Sequence, residues 1–332
     1  MNNRRRISAV FACTLLGVLL LSVMLLALTL GSVRVPYREI AAAFSADASG
    51  TSGIIRDIRI PRILMAVMTG ANLAVSGVLL QSVMHNPMAD PGITGISSGA
   101  SVVVITIMLY LPGLNASRPL FGFAGGILAC LMIYSLAWKH GLSAVRIVLA
   151  GVAVNSVLGG VTSLIYLFNS EQLSGVLSWM NGELGKKSWQ QVVYMAVYSV
   201  FGLAFAFAMS RSCDILALGD KNTRSLGYNP NLLRVVISAG AVFLAGVSTS
   251  FVGVIGFIGL VVPHISRMLM GSEHRRLLPF AALLGATMLL AADTVGRIII
   301  SPYEIPVGVI TTVSGGPFFL YLLRKDSSGY GD

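Results

Sequence analysis

Long apolar stretches recur along the chain and are separated by short polar or Pro/Gly-rich segments. A helix needs about 20 apolar residues to cross a bilayer, and barrel strands would instead alternate over about 10. Unpaired backbone has no partner in lipid, so the pattern predicts an all-α polytopic membrane protein with about ten transmembrane helices. The predicted spans, within a single domain of residues 1–332, are 10–30, 62–84, 94–111, 119–138, 147–168, 190–210, 233–252, 257–270, 279–299 and 306–323.

Two of these spans have unusual sequences. The first follows Arg4, Arg5 and Arg6 and is longer than the apolar region of a signal peptide, so it is interpreted as a retained span. The eighth is short, rich in glycine and interrupted by Pro263, so the pattern predicts ten spans to within about one.

Composition places the chain in the membrane. Apolar residues make up 55% of the 332 positions and charged residues only 11%, whereas soluble domains carry roughly 25% charged residues. The net charge of +10 is explained by basic residues that flank membrane spans, so we expect a lipid partner and no nucleic acid. The three cysteines are far apart and have no metal-site spacing, so no metal site is predicted.

The distribution of Lys and Arg predicts that both termini are cytoplasmic. With the N-terminus inside, 14 of these residues fall on inner segments and nine on outer ones. Spans two to five then run opposite to spans seven to ten, as in the inverted halves of many transporters.

A polar island, Ile215 to Arg234, is the longest inner segment between spans. Gly219 separates two short helical turns, the second beginning at Asp220, whose carboxylate is placed to cap the helix and to pair with Arg224. Gly227 is placed to end the second turn. On these residues alone, a surface that contacts a partner and an ordinary solvated loop both remain open.

Several strings together resemble the iron-chelate and cobalamin permease family of ATP-binding-cassette (ABC) importers. They are LALGDKNTRSLG within the island, GVIGFIGLVVPHISRMLMGSEHRRLLP after it, RIPRILMAVMTGANLAVSGVLLQSVMHNPMADPG before it, IVLAGVAVNS and EIPVGVITTVSGGPFF. The resemblance covers the chain from about residue 30 and implies a cobalamin-importer-type fold with inverted halves.

The resemblance also implies roles for particular residues. The island becomes a cytoplasmic coupling segment, residues 213–228, that docks on an ATPase. Its implied contact residues are Leu216, Ala217, Leu218, Gly219, Asp220, Arg224, Leu226 and Gly227. Arg59, Arg62 and Arg297 are implied to meet acidic residues of an extracytoplasmic substrate-binding protein, although arginines at span ends can also simply anchor them. Asn86, Pro87, Met88 and Ser143 are implied gate residues, with tight turns as the alternative.

The expected function is the permease subunit of an ABC importer in the bacterial cytoplasmic membrane, carrying a ferric siderophore rather than haem or cobalamin. The chain lacks a G-x-x-x-x-G-K-[ST] loop, so ATP is bound by partner subunits and no catalytic residue or cofactor is expected. A second permease subunit, the same or related, completes the pore. The alternative is an ion-coupled secondary transporter, but only Asp293 offers a carboxylate within a span.

Overall fold

A computed structural model describes residues 2–31, 40, 43, 50–139, 144–185 and 187–326, which form helices joined by short connections. The all-α prediction is confirmed. The helices discussed below are α1 (Asn2–Thr29), α2 (Ile60–Met84), α3 (Ile96–Tyr110), α4 (Arg118–Ala137), α5 (Ala144–Phe168), α6 (Leu173–Met180), α7 (Trp189–Ala208), α8 (Ser210–Leu216), α9 (Asp220–Ser225), α10 (Pro230–Val252), α11 (Ile258–Met270), α12 (His274–Ile298) and α13 (Val307–Asp326).

Seven helices of the described part are long and apolar enough to cross a membrane, in α1, α2, α4, α5, α7, α10 and α12. Shorter apolar helices lie at Ile96–Tyr110, Ile258–Met270 and Val307–Phe318. Each of the ten overlaps one predicted span. How many of them traverse the bilayer stays a prediction.

Helix α2 is the centre of the fold. It begins with Pro61 in its first turn, where a missing N–H costs nothing, and it ends at His85, whose φ of 48° is left-handed. Helices α7, α10, α11 and α12 pack around it. Residues 69–84 of α2 are all buried. The polar and the apolar side chains on every face of this part of the helix are therefore in contact with the rest of the protein.

Glycines bring α2 into backbone contact with two neighbours. A methyl group built on Gly77 would lie 1.9 Å from the carbonyl oxygen of Gly259 on α11. One built on Gly70 would lie 2.3 Å from the carbonyl oxygen of Gly285 on α12. Such close approach is how membrane helices gain van der Waals contact where the hydrophobic effect offers little.

Gly77→Ala is therefore expected to destabilise the protein by about 1–3 kcal/mol, because the helices must separate to admit the methyl group. Gly17→Ala is the matched control, since nothing lies within 4 Å of a methyl group built there. Thermal unfolding in detergent compares the two variants. Equal melting temperatures would contradict the close packing.

Pro263 does not break a helix, contrary to the sequence-based prediction. It lies inside the continuous helix α11, and the interruption comes earlier, between Gly253 (φ +91°) and Ile258. Proline frees the carbonyl four residues before it. Here that carbonyl belongs to Gly259, and the side-chain amide of Gln81 reaches it at 3.5 Å. The proline is thus accommodated by a polar partner from α2.

Candidate coupling segment, gate loop and arginine cluster

The coupling segment consists of two short helices with a bend between them. Helices α8 and α9 are joined through Gly219, whose φ of +86° favours glycine. Thr223 stabilises the bend, because its hydroxyl is within hydrogen-bond distance of the carbonyl oxygens of Ile215, at 3.0 Å, and Gly219, at 2.9 Å. The bend is therefore held from within the segment.

The coupling segment has one buried and one exposed side. Cys213 and Leu216 are fully buried, and burial raises the pKa of the Cys213 thiol to about 12, so it stays neutral. Leu218 and Leu226 are each 54% exposed, and Tyr228 is 42% exposed. Large apolar side chains grouped on a segment between spans are typical of a protein–protein contact.

Asp220 pairs with a different arginine from the one predicted. Its carboxylate accepts hydrogen bonds from both terminal nitrogens of Arg234, at 2.7 and 3.2 Å. Arg224 is exposed. Asp220 is also the first residue of α9, with Gly219 preceding it, rather than the cap. The nearly buried guanidinium of Arg234 needs a carboxylate more than the solvated Arg224 does, which explains the difference.

The gate loop, His85–Gly92, is shaped by its own side chains. The Asn86 side-chain oxygen accepts from the Met88 N–H at 2.8 Å, and that of Asp90 accepts from the Gly92 N–H at 2.7 Å. Burial raises the pKa of Asp90, against the opposing effect of that N–H. Pro87 and Met88 are exposed at the tip. The loop therefore has a defined shape with an apolar tip.

Two side chains from neighbouring helices fix the gate loop in place. The Gln81 amide donates to the Ala89 carbonyl at 3.2 Å, and the Asn155 amide on α5 donates to the Gly92 carbonyl at 3.0 Å. Arg267 on α11 donates in turn to the Gln81 side-chain oxygen. Ser143, the other predicted gate residue, lies outside the described residues.

The arginine cluster lies at the opposite end of the bundle, where α2 begins and α12 ends. The Arg62 guanidinium donates hydrogen bonds to both carboxylate oxygens of Asp293, at 2.8–3.0 Å, and to the carboxylate of Glu304, at 2.6 Å. Arg297 contacts the same Asp293 at 3.2 Å. Arg59 donates to the carbonyl of Leu28 at the end of α1. The cluster thus ties α1, α2 and α12 together.

All three arginines of the cluster are buried. Arg59, Arg62 and Arg297 are 5%, 8% and 3% exposed. Buried guanidinium groups require carboxylates and carbonyls within the protein, and α1 and α12 supply them here. Glu304, with its side chain 38% exposed, is the accessible member of the cluster.

Helix α5 presents an open face of small and polar residues. Ser156, Gly159, Gly160 and Ser163 are exposed along it. Nothing in the described chain lies within 4 Å of a methyl group built on Gly159 or Gly160. A stripe of this kind suits either a neighbouring helix or a polar pathway.

The structure brings the coupling segment and the gate loop together, since the His85 side chain contacts the Leu216 carbonyl at 2.8 Å. The arginine cluster is separate from both. Sequence reasoning missed the partners Asp214, His274 and Glu304, because no local spacing links them to the residues they contact. Among the described residues, no group of three His, Cys, Asp or Glu side chains could hold a metal ion.

Comparisons with known proteins agree with one another. The model of the FecCD transport family matches residues 19–325. The chain is similar to the Fe(3+)-citrate import system permease protein YfmD of Bacillus subtilis (strain 168), at 42% identity over 84% of each chain. It is similar to the hemin transport system permease protein HmuU of Yersinia pestis, at 38% identity over 95% of this chain and 97% of that one.

A solved structure of an inward-facing transporter, assigned to the metal-chelate type of ABC transporter, has the same fold. Its TM-score to this chain is 0.83 with 27% sequence identity. The match covers 96% of this chain and 99% of that one. The likeness therefore extends over the whole helical bundle.

Proposed function

The chain belongs to the FecCD transport family, and we propose that it is the membrane-spanning subunit of an ABC importer that carries an iron chelate into the cytoplasm. The observation that carries the proposal is the extent of the family match. Residues 19–325 include the coupling segment, the gate loop and the arginine cluster. Energy would come from separate ATPase subunits, since the chain has no phosphate-binding loop of the G-x-x-x-x-G-K-[ST] type.

The proposed cargo is a ferric siderophore or a related small ferric chelate. The relative at 42% identity is named as an Fe(3+)-citrate permease, and the relative at 38% identity is named as a hemin permease. Of these two, the ferric citrate protein is the more similar in sequence, which favours an open-chain ferric chelate over haem as the first cargo to test.

The ATPase would dock on the exposed side of the coupling segment, at the cytoplasmic face of the bacterial inner membrane. Leu218, Leu226 and Tyr228 supply apolar contact there, while the buried Cys213 and Leu216 keep the segment attached to the bundle. A segment fixed to the bundle in this way can move as a rigid body with it, which a flexible loop could not do. Both termini would then be cytoplasmic.

The pathway would run between this chain and a second permease subunit, along the open face of α5. The gate loop stands beside it, because Asn155 of α5 holds the Gly92 carbonyl. Asn86, Pro87 and Met88 are the proposed gate, with the exposed Met88 side chain at its tip. Ser143, which precedes α5, is retained as a further gate candidate.

A substrate-binding protein would dock at the end of the bundle that carries the arginine cluster. Contact with Arg59, Arg62 and Arg297 stays a prediction, and their burial restricts its form. An incoming carboxylate could reach Arg62 most directly by replacing the accessible Glu304. Any such contact would serve mainly to steer and orient docking, since ion pairs with solvent access contribute about 0.2–1 kcal/mol.

The competing function, an ion-coupled secondary transporter, needs an ionisable group free to exchange its ion. Asp293 was the candidate from the sequence. It is 1% exposed and contacts both Arg62 and Arg297, so its charge is already compensated within the protein. This pairing favours a structural role for Asp293 over a relay.

The decisive experiment is uptake into proteoliposomes that contain this chain with its co-purified ATPase subunits, supplied with the substrate-binding protein. We expect uptake of radiolabelled ferric chelate to need ATP on the side of the coupling segment. Ionophores that collapse proton and sodium gradients should leave it unchanged. Uptake that proceeds without ATP and stops with the ionophores would overturn the proposal and favour the secondary transporter.

A further inference from the structure

Two histidines join the coupling segment to the end of α2 from which the gate loop begins. We propose that His85 and His274 are positioning residues that transmit movement of the coupling segment to the gate loop. The inference rests on the proposed function, because it assumes that an ATPase moves the coupling segment. It adds a specific route by which that movement reaches the pathway.

The first link is direct. His85 follows the last residue of α2 and is the first residue of the gate loop. Its ring nitrogen Nε2 lies 2.8 Å from the carbonyl oxygen of Leu216, the last residue of α8. A carbonyl can only accept, so Nε2 carries the proton and donates it. The same carbonyl accepts the Gly219 N–H at 3.1 Å, and the His85 ring is its second donor.

The second link passes through His274 at the start of α12. Its ring nitrogen Nδ1 lies 2.6 Å from the Asp214 carboxylate on α8, and Nε2 lies 2.6 Å from the Ser82 hydroxyl on α2. The Asp214 carboxylate also accepts the His274 backbone N–H at 3.1 Å. The ring is therefore held on both sides, by the coupling segment and by α2.

Both links join the end of α2 to α8. Ser82 lies in the last turn of α2, and His85 follows the last residue of that helix. Asp214 and Leu216, at the other ends of the links, both belong to α8. Two connections between the same two elements resist both sliding and rotation, whereas a single hydrogen bond would act as a pivot. The arrangement therefore favours movement of α8 and the gate loop as one unit.

The second link is also positioned away from solvent. The His274 side chain is 5% exposed, and Ser82 is 7% exposed. The Ser82 hydroxyl lies 2.8 Å from the Val78 carbonyl as well, so it has an alternative partner within its own helix. Removing His274 therefore need not leave Ser82 unpaired, and the bundle can survive the loss of the connection.

The test is the ratio of ATP hydrolysed to chelate transported, measured in proteoliposomes with the ATPase subunits and the binding protein. His274→Ala and Ser82→Ala should each raise that ratio about 5- to 10-fold, as loss of a coupling interaction does. The rate of ATP hydrolysis should change less than about 2-fold, since nucleotide binding lies in other chains.

Conservative replacements separate the two sides of the ring. In His274→Asn the amide nitrogen stands near the place of Nδ1, which keeps Asp214, while in His274→Gln it stands near that of Nε2, which keeps Ser82. Both should raise the ratio if the connection needs both ends. Full coupling in either variant would overturn the two-sided link.

Ser248→Ala is the matched control. Ser248 on α10 is a buried serine that donates to the carbonyl four residues earlier, as Ser82 does, but it contacts neither histidine. Its ratio should remain that of the wild type. The inference is wrong if Ser82→Ala and Ser248→Ala behave alike, or if uptake and hydrolysis fall in parallel in the histidine variants. Absence of ATP-driven uptake in the wild type would instead overturn the proposed function.

Discussion

Replacing both Leu218 and Leu226 with aspartate is expected to release the ATPase subunits and abolish ATP-driven uptake. Each leucine is 54% exposed in the free chain, so each would be covered only when a partner docks. Apolar anchors of an interface typically contribute about 2 kcal/mol or more when truncated. A carboxylate in the same place must also be desolvated without a partner. Together the two changes should weaken binding by about 10³-fold or more.

Co-purification of the ATPase subunits with tagged permease measures the effect, and uptake into proteoliposomes confirms it. The double variant should still fold, because the buried anchors Cys213, Leu216 and Thr223 are unchanged. Leu114→Asp, at an exposed position outside the segment, is the control and should retain the ATPase. If the double variant retained the ATPase as well, the contact surface would have to lie elsewhere.

The sequence predicted the helices well, because lipid admits few alternatives for an apolar backbone. The stretch 62–84 corresponds to Ile60–Met84, and 257–270 corresponds to Ile258–Met270. The largest shifts are at the starts of two helices: the stretch predicted at 10–30 is found at Asn2–Thr29, and the one predicted at 279–299 is found at His274–Ile298. Both helices begin with polar residues, which give no hydropathy signal. The family resemblance is confirmed, since its strings fall within the matched residues 19–325.

Side-chain partners were harder to predict, because local spacing cannot reveal contacts between distant helices. The pairing of Asp220 with Arg224 was the natural i,i+4 choice, yet the fold pairs Asp220 with Arg234. The Arg62–Asp293 contact spans 231 residues of sequence, and the Ser82–His274 contact spans 192. Nothing in the spacing of these residues could indicate either contact. Both depend on the antiparallel packing of α2 against α12, which only the folded chain specifies.

Arg62→Met is expected to destabilise the protein by about 3–5 kcal/mol, since it leaves the Asp293 carboxylate buried with only part of its charge compensated. Asp293 is 1% exposed, and Arg297 reaches it through a single contact at 3.2 Å. Methionine fills much of the volume of the arginine stem, so the loss of charge and hydrogen bonds dominates the effect. Equilibrium unfolding of the detergent-solubilised chain measures the free energy.

Adding Asp293→Asn to Arg62→Met should restore part of the stability, because an amide carries no charge that needs compensation. The two changes should therefore be less costly together than the sum of the single variants, as expected for groups in direct contact. Arg275→Met, at an exposed position, should change stability by less than about 0.5 kcal/mol. If Arg62→Met were no more costly than Arg275→Met, the cluster would not stabilise the bundle. Its arginines would then be available for another task, and the predicted contact with a binding protein would become the better account of all three.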